Sequence, residues 1–326
     1  MLKGVFGLSV LAALIVLAAP ALAHTSRQVE VIRGSGHVVS ETRPVKDLHR
    51  LTLMGSPDVY IAQGTEESLR IEAEDNLLPL VETVVREGEL RISFPRPDTE
   101  ARLRPTKPVK VYLTVKELNH ISTLGSGDIE CPALTAGELA LETIGSGDIK
   151  LNAHATSLSC RLVGSGDMTL AGEAARWQVT VAGSGDFTAH DLKSKVCDLQ
   201  ISGSGDCRGS ITTADSLSLA VAGSGDAKLS IHTKRLLCRV SGSGDISLSG
   251  AVTSQQVKLR GSGDYRARRL QCEECDIEVG GSSDAEVNVA QSLAAHLLGS
   301  GQLRYWGNPT VSLTATGSGK ARHMVD

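Results

Sequence analysis

The tetrapeptide Gly-Ser-Gly-Asp occurs eight times, beginning at Gly125, Gly145, Gly164, Gly183, Gly203, Gly223, Gly242 and Gly261, so each step is 19 or 20 residues. Altered copies follow at Gly281 (Gly-Ser-Ser-Asp), Gly299 (Gly-Ser-Gly-Gln) and Gly317 (Gly-Ser-Gly-Lys). A fixed period of about 20 residues marks a solenoid, in which one small unit stacks on the next.

A second period, of two residues, runs through each repeat. Leu139, Leu141 and Thr143 precede one motif; Leu158, Cys160 and Leu162 precede the next; Trp177, Val179 and Val181 the one after. The same parity resumes beyond the corner at Ile149 and Leu151, Met168 and Leu170, and Ile246 and Leu248, with mostly polar residues between. Alternation on both sides of a Gly-rich corner predicts strand, turn, strand and excludes helix. Two short strands cannot close a core within one unit, so the units must stack. The predicted fold is all-β: a single-stranded parallel β-helix of about ten coils, roughly 50 Å long at strand spacing. A β-propeller is the alternative for short strand repeats, but its blades need about 40 residues.

The period is absent from about Gln28 to Val115. Alternating runs remain there (Leu51–Leu53, Asp58–Ala62, Leu69–Ala73, Leu90–Phe94), with a helical turn expected over Asp75–Leu80 and a hairpin turn at Glu87-Gly88. The stretch Pro95–Pro108 reads as an exposed loop. The organisation expected is a signal peptide over 1–23, an N-terminal segment over 24–46, and a β-helix domain over 47–322. Within that domain, 47–120 is an irregular cap that protects the first coil from edge pairing and 121–322 holds the repeats.

The signal reading rests on Lys3, the apolar run Val5–Pro20 and the small residues Ala21-Leu22-Ala23 before His24. No second apolar segment follows, so no transmembrane span is expected after its removal. Loss of Lys3 takes the formal charge from −4 to −5, which argues against nucleic acid as partner. The chain is therefore expected to be exported, periplasmic or at the cell surface. Its seven cysteines do not pair by position. Cys160 and Cys238 share one repeat position and Cys197 and Cys275 another, each pair about 19 Å apart at strand spacing. They read as buried hydrophobes, with Cys272 and Cys275 as a lone Cys-x-x-Cys in which a local disulfide is the alternative.

If alternation continues through the motif, its glycines face inward and its Ser and Asp face outward. Stacking then aligns Asp128, Asp148, Asp167, Asp186, Asp206, Asp226, Asp245, Asp264 and Asp284 in one column. Carboxylates about 4.8 Å apart repel by roughly 1 kcal/mol per neighbouring pair in water, and something must offset this. The preferred reading is a turn role, each Asp accepting hydrogen bonds from its own corner's N–H groups or from Ser. The alternative is a cation ladder, with Ca2+ held between coils. Gln302 and Lys320 end the column without further negative charge.

The Gly-Ser-Gly-Asp corners, the Leu51–Ala62 and Asp75–Leu80 stretches, and the late segment from Gly299 to Pro309 followed by Gly317-Ser318-Gly319-Lys320 resemble the putative auto-transporter adhesins with a head GIN domain, over roughly Asp47 to Arg322. The resemblance implies a β-helix-like fold, a role at or beyond the bacterial cell envelope, and no catalytic residues. Unlike a true autotransporter, the sequence carries no alternating strands for a membrane barrel after its last repeat.

Three functions compete on these grounds. The first is a non-enzymatic adhesin-like rod that binds an envelope, glycan or protein surface along its faces, without a cofactor. The second is a periplasmic structural or envelope-stress protein without ligand. The third is an enzyme acting on a polysaccharide, which would need a walled groove with a singular acid pair. Arg260, Arg266, Arg268 and Arg269 form a basic cluster beside Asp264, the nearest thing to an anion site. His154, His190, His232 and His296 lack metal-ligand spacing. Tyr305 and Trp306 are expected to cover the last coil rather than to stack on a sugar.

Overall fold

The computed structural model describes residues 30–94 and 101–325. The expected signal peptide and the first residues of the segment after it lie outside the described residues. The rest is a parallel β-solenoid of about eleven turns. Each regular coil is one strand running from the residue after a motif Asp to the first Gly of the next motif, as in Ile129–Gly145, Ile149–Gly164, Met168–Gly183 and Phe187–Gly203. Every such strand pairs in parallel with the next so that motif sits on motif: Gly145 on Gly164, Gly164 on Gly183, Gly183 on Gly203.

The sequence predicted two strands per coil with a bend between them. The hydrogen-bonded ladder instead continues through the second bend, which is absorbed by register shifts such as those between Cys131 and Leu134, Ala189 and Leu192, and Thr212 and Ser216. A bulge bends a strand while leaving the pairing on either side intact, and the inward parity restarts there.

Inward residues form ladders along the axis, and bulk alternates with economy. Ile149, Met168 and Phe187 are followed by Cys207 and Ala227; Tyr265 is followed by Ala285. All seven cysteines are buried free thiols in these ladders, as their spacing implied. Burial pushes the Cys131 thiol up to about 11 and the Cys160 thiol well above its ordinary value, so these act as small hydrophobes. Cys272 and Cys275 also remain free; the Gln255 amide donates to Cys272 Sγ at 3.3 Å and the Tyr265 hydroxyl to Gln255 at 2.7 Å.

The stack of coils begins before the first regular motif. Strands Arg50–Gly55 and Asp58–Gln63 flank a corner Gly55-Ser56-Pro57-Asp58 and pair in parallel with His120–Gly125 and with the start of Ile129–Gly145. Beyond them lie Glu89–Ser93 on Arg50–Gly55 and Lys110–Val115 on Asp58–Gln63. The chain thus lays down one coil, runs outward, builds the terminal coil, and returns at His120 to continue the stack. That detour erases the sequence period.

The outermost layers are antiparallel. Ser68–Glu74 lies between Lys110–Val115 and the exposed edge strand Val38–Arg43. On the other side, Glu82–Arg86 forms a hairpin with Glu89–Ser93 through Glu87-Gly88, both with positive φ. The expected helical turn is the 3-10 segment Leu78–Leu80. The stretch read as a loop over Pro95–Pro108 contains a strand, Ala101–Arg104, paired with Glu30–Arg33. Glu74 is buried against this layer. The Thr106 hydroxyl and N–H and the Gly36 N–H donate to its carboxylate and hold it below the usual carboxylate range.

At the other end, Gln302–Trp306 and Thr310–Ala315 form the last full coil, and Lys320–His323 adds half a turn. Thr310–Ala315 is exposed along its whole length.

Candidate functional site

At every regular corner Ser is exposed and the second glycine is buried, as the parity implied, while the Asp backbone stacks on its neighbours. The first glycine has φ between +128° and +152° from Gly125 to Gly261, a region that L side chains avoid. The corner's hydrogen bonds run between coils. The Ser204 N–H donates to the Gly183 carbonyl at 2.9 Å and the Phe187 N–H to the Asp206 carbonyl at 2.8 Å. Between these two bonds the turn directs no carbonyl at the Asp206 N–H. The Asp186 carboxylate takes that place, its Oδ1 accepting the Asp206 N–H at 3.0 Å.

The same bond repeats from Asp128 through Asp148, Asp167, Asp186, Asp206, Asp226, Asp245 and Asp264 to Asp284, at 2.8 to 3.1 Å. It ends with the Gln302 N–H donating to Asp284 at 2.8 Å. At the other end the Asp128 N–H reaches Asp58 at 3.4 Å, so Asp58 belongs to the column, although the repeat period is absent there. The turn role expected from sequence therefore takes a different form. Each Asp serves the next coil's backbone rather than its own, because its own corner's Ser N–H is already committed to the coil before. A hydrogen bond to a charged group contributes about 1.5–3 kcal/mol, which offsets the repulsion of roughly 1 kcal/mol per neighbouring pair expected in water.

The second carboxylate oxygens face outward, and arginines two residues beyond the motif meet several of them. Arg208 bonds Asp186 at 3.0 Å; Arg266 bridges Asp245 at 2.6 Å and Asp264 at 3.0 Å; Arg304 lies 3.5 Å from Asp284. Among the described residues no group of three or more His, Cys, Asp or Glu is placed to hold a metal ion. We expect the melting temperature to be the same in chelator and across a calcium titration. The Asp186→Asn, Asp206→Asn double variant should stay within about 1 kcal/mol of the parent, since an amide oxygen still accepts the N–H and exposed ion pairs contribute little. A calcium-dependent rise in melting temperature that the variant loses would make the column a cation site.

The basic cluster expected at Arg260, Arg266, Arg268 and Arg269 is divided by the fold. Arg260 precedes its corner, lies on a different face and approaches Glu278 at 3.6 Å. Arg266, Arg268 and Arg269 instead join Arg208 and Lys228, from earlier coils, around a basin of about 690 Å³. Its floor is made of small residues, Ser230, Ser247 and Ser249. Two in-register columns run through it, Lys228–Ser247–Arg266 and Ser230–Ser249–Arg269. Sequence reading missed Arg208 and Lys228 because they are some forty to sixty residues from the cluster; the 19–20-residue step, applied to outward positions, would have found them.

Other concavities among the described residues include the following two. One, of about 1130 Å³, opens where the chain returns from the cap and includes the Arg50–Glu89 ion pair at 3.9 Å. The other, of about 780 Å³, is a trough over Ser218, Leu237, Gln256 and Ala294. Tyr305 and Trp306 are built into the last coils, as expected: Tyr305 stacks on His323, and Trp306 is buried beneath the Arg268 guanidinium, 4.7 Å from the ring centre.

No protein of curated function matches the chain. Solved structures similar to it include an adhesin-like protein from Parabacteroides distasonis described as a putative adhesin (18% identity, 90% of this chain and 100% of that one, TM-score 0.41). A putative lipid binding protein from the same organism gives 23% identity, 91% and 100% coverage, and a TM-score of 0.37. A putative adhesin from Parabacteroides merdae gives 15% identity, 91% and 100% coverage, and a TM-score of 0.34. A family-level match spans residues 47–212 and 207–309, most of the solenoid with its corners and cap. The chain belongs to the family described as putative auto-transporter adhesin, head GIN domain.

Proposed function

We propose that this chain is an exported, non-enzymatic binding rod of the bacterial envelope that meets its target along the outer faces of the solenoid. The observation that carries this reading is the continuity of those faces. From Ile129 to Leu297 the coils are joined only by tetrapeptide corners, so side chains recur at each coil step of about 4.8 Å without loops to wall off a pocket. Among the described residues the Asp column is engaged with the backbone of the neighbouring coil, which supports reading it as scaffold. Export is supported by the signal-like first 23 residues and by the family; no helix among the described residues is long and apolar enough to cross a membrane.

The test is retention of labelled full chain on intact bacterial cells, envelope fractions and immobilised glycans. Saturable retention on at least one is the expected result. Retention on none would overturn the binding reading in favour of a ligand-free structural role, and release of new reducing ends from polygalacturonate or alginate would make the protein an enzyme.

A further inference from the structure

We infer that the basin framed by Arg208, Lys228, Arg266, Arg268 and Arg269 is a binding subsite for a linear acidic polysaccharide bearing uronate carboxylates; this rests on the binding-rod reading above and names its ligand.

The basin is a local reversal of charge on a chain whose formal net charge is −4. Its five cations divide into two kinds. Arg208 and Arg266 are held at the rim by the outward oxygens of Asp186, Asp245 and Asp264, and Arg268 lies over the Trp306 ring. A guanidinium has five N–H donors in a rigid fork, so Arg208 and Arg266, fixed in this way, are positioned and keep donors for a ligand. Lys228 and Arg269 have no carboxylate partner among the described residues. The one carboxylate in the lining, Glu286, is bonded by Arg304 from outside at 3.1 Å. The uncommitted positive charge therefore belongs to Lys228 and Arg269, two coil steps apart, roughly 10 Å along the axis.

Geometry favours an extended sugar polymer over other anions. The floor between the cations is Ser247 with Ser230 and Ser249 beside it, hydroxyls that both donate and accept and so match sugar hydroxyls. The columns run along the axis, which suits an extended chain bearing negative charge at regular intervals. A single enclosed phosphate would instead need several donors converging on one point. An anionic bilayer is met by basic charge together with exposed apolar side chains; the large exposed ones, including Leu124, Ile144, Val311 and Leu313, do not line the basin. Single-stranded nucleic acid needs exposed aromatic platforms, and Trp306 is only 6% exposed.

The experiment is affinity gel electrophoresis of the full chain in gels containing polygalacturonate, with dextran gels as the neutral control and flotation with phosphatidylglycerol vesicles as the lipid arm. The Lys228→Ala, Arg269→Ala double variant is compared with Arg235→Ala, Arg239→Ala, which removes equal charge from exposed positions outside the basin. Equal melting temperatures establish that both remain folded. The parent should be retarded by polygalacturonate and not by dextran, less so as salt is raised. The basin variant should bind at least tenfold more weakly, and the control variant like the parent. Equal binding by parent and basin variant, equal retardation by dextran, or binding to the vesicles alone would overturn the inference. If the basin variant is still retained on envelope fractions like the parent, the basin inference fails while the binding rod stands. If the parent is retained nowhere, the broader reading fails.

Discussion

Gly203→Ala is expected to destabilise the solenoid by at least about 4 kcal/mol, among the largest effects of any single substitution. Two independent costs add. Gly203 has φ +128°, a conformation that costs a non-glycine residue about 1–3 kcal/mol. A Cβ built there would also sit 2.0 Å from the Gly183 carbonyl oxygen, and that atom is backbone fixed by the Ser204 N–H at 2.9 Å, so it has nowhere to go. The second glycine of the same corner is a sharper comparison. A Cβ at Gly205 would lie 1.9 Å from the Gly185 carbonyl oxygen, but φ there is not in the left-handed region. The chain itself places Pro57 and Ser283 at the equivalent position of two other corners, whereas the first position is Gly at every corner from Gly55 to Gly317. Gly205→Ser should therefore cost clearly less than Gly203→Ala. Urea unfolding gives both differences. Because a solenoid can come apart locally, amide exchange should show protection lost first in the coils Phe187–Gly203 and Cys207–Gly223. Equal costs at the two glycines would remove positive φ from the account and leave only the contact.

How much of this could be read in advance follows from where the repeat is intact. The corners, the inward ladder and the outward Ser and Asp parity come directly from the 20- and two-residue periods. The first corner, Gly55-Ser56-Pro57-Asp58, escaped because proline replaces the second glycine and about 70 residues separate it from its stacking partner at Gly125. Contacts that close such a detour are between distant residues, and no local pattern reports them. The Asp column was visible but its donor was not: which N–H faces a carboxylate depends on whether pairing is in register, and only the stacked backbone reveals that. The basic basin was half legible. Four arginines close in sequence drew attention, yet the corner between them turns Arg260 onto another face, towards Glu278, while Arg208 and Lys228 arrive through stacking.

Trp177→Ala is the second large effect, expected at about 3–5 kcal/mol. Trp177 is fully buried, and its indole N–H donates to the Lys193 carbonyl at 3.1 Å. Its ladder neighbours are Leu158 on one side and Cys197 on the other. The large indole is accommodated because the next coil offers a small side chain, so the two positions share one volume. That sharing makes a coupled test. Cys197→Leu alone should overpack against the indole and cost about 1–3 kcal/mol. Trp177→Leu alone should leave a cavity and an unpaired Lys193 carbonyl. The double variant Trp177→Leu, Cys197→Leu refills part of the cavity with the added leucine, so its cost should fall below the sum of the two by at least about 1 kcal/mol, within the range found for residues in contact. The residual cost reports the lost indole hydrogen bond, about 1–3 kcal/mol when a buried acceptor is left unmade. Strict additivity in urea unfolding would mean that the coils do not share interior volume, and that each turn of the solenoid packs as a separate unit.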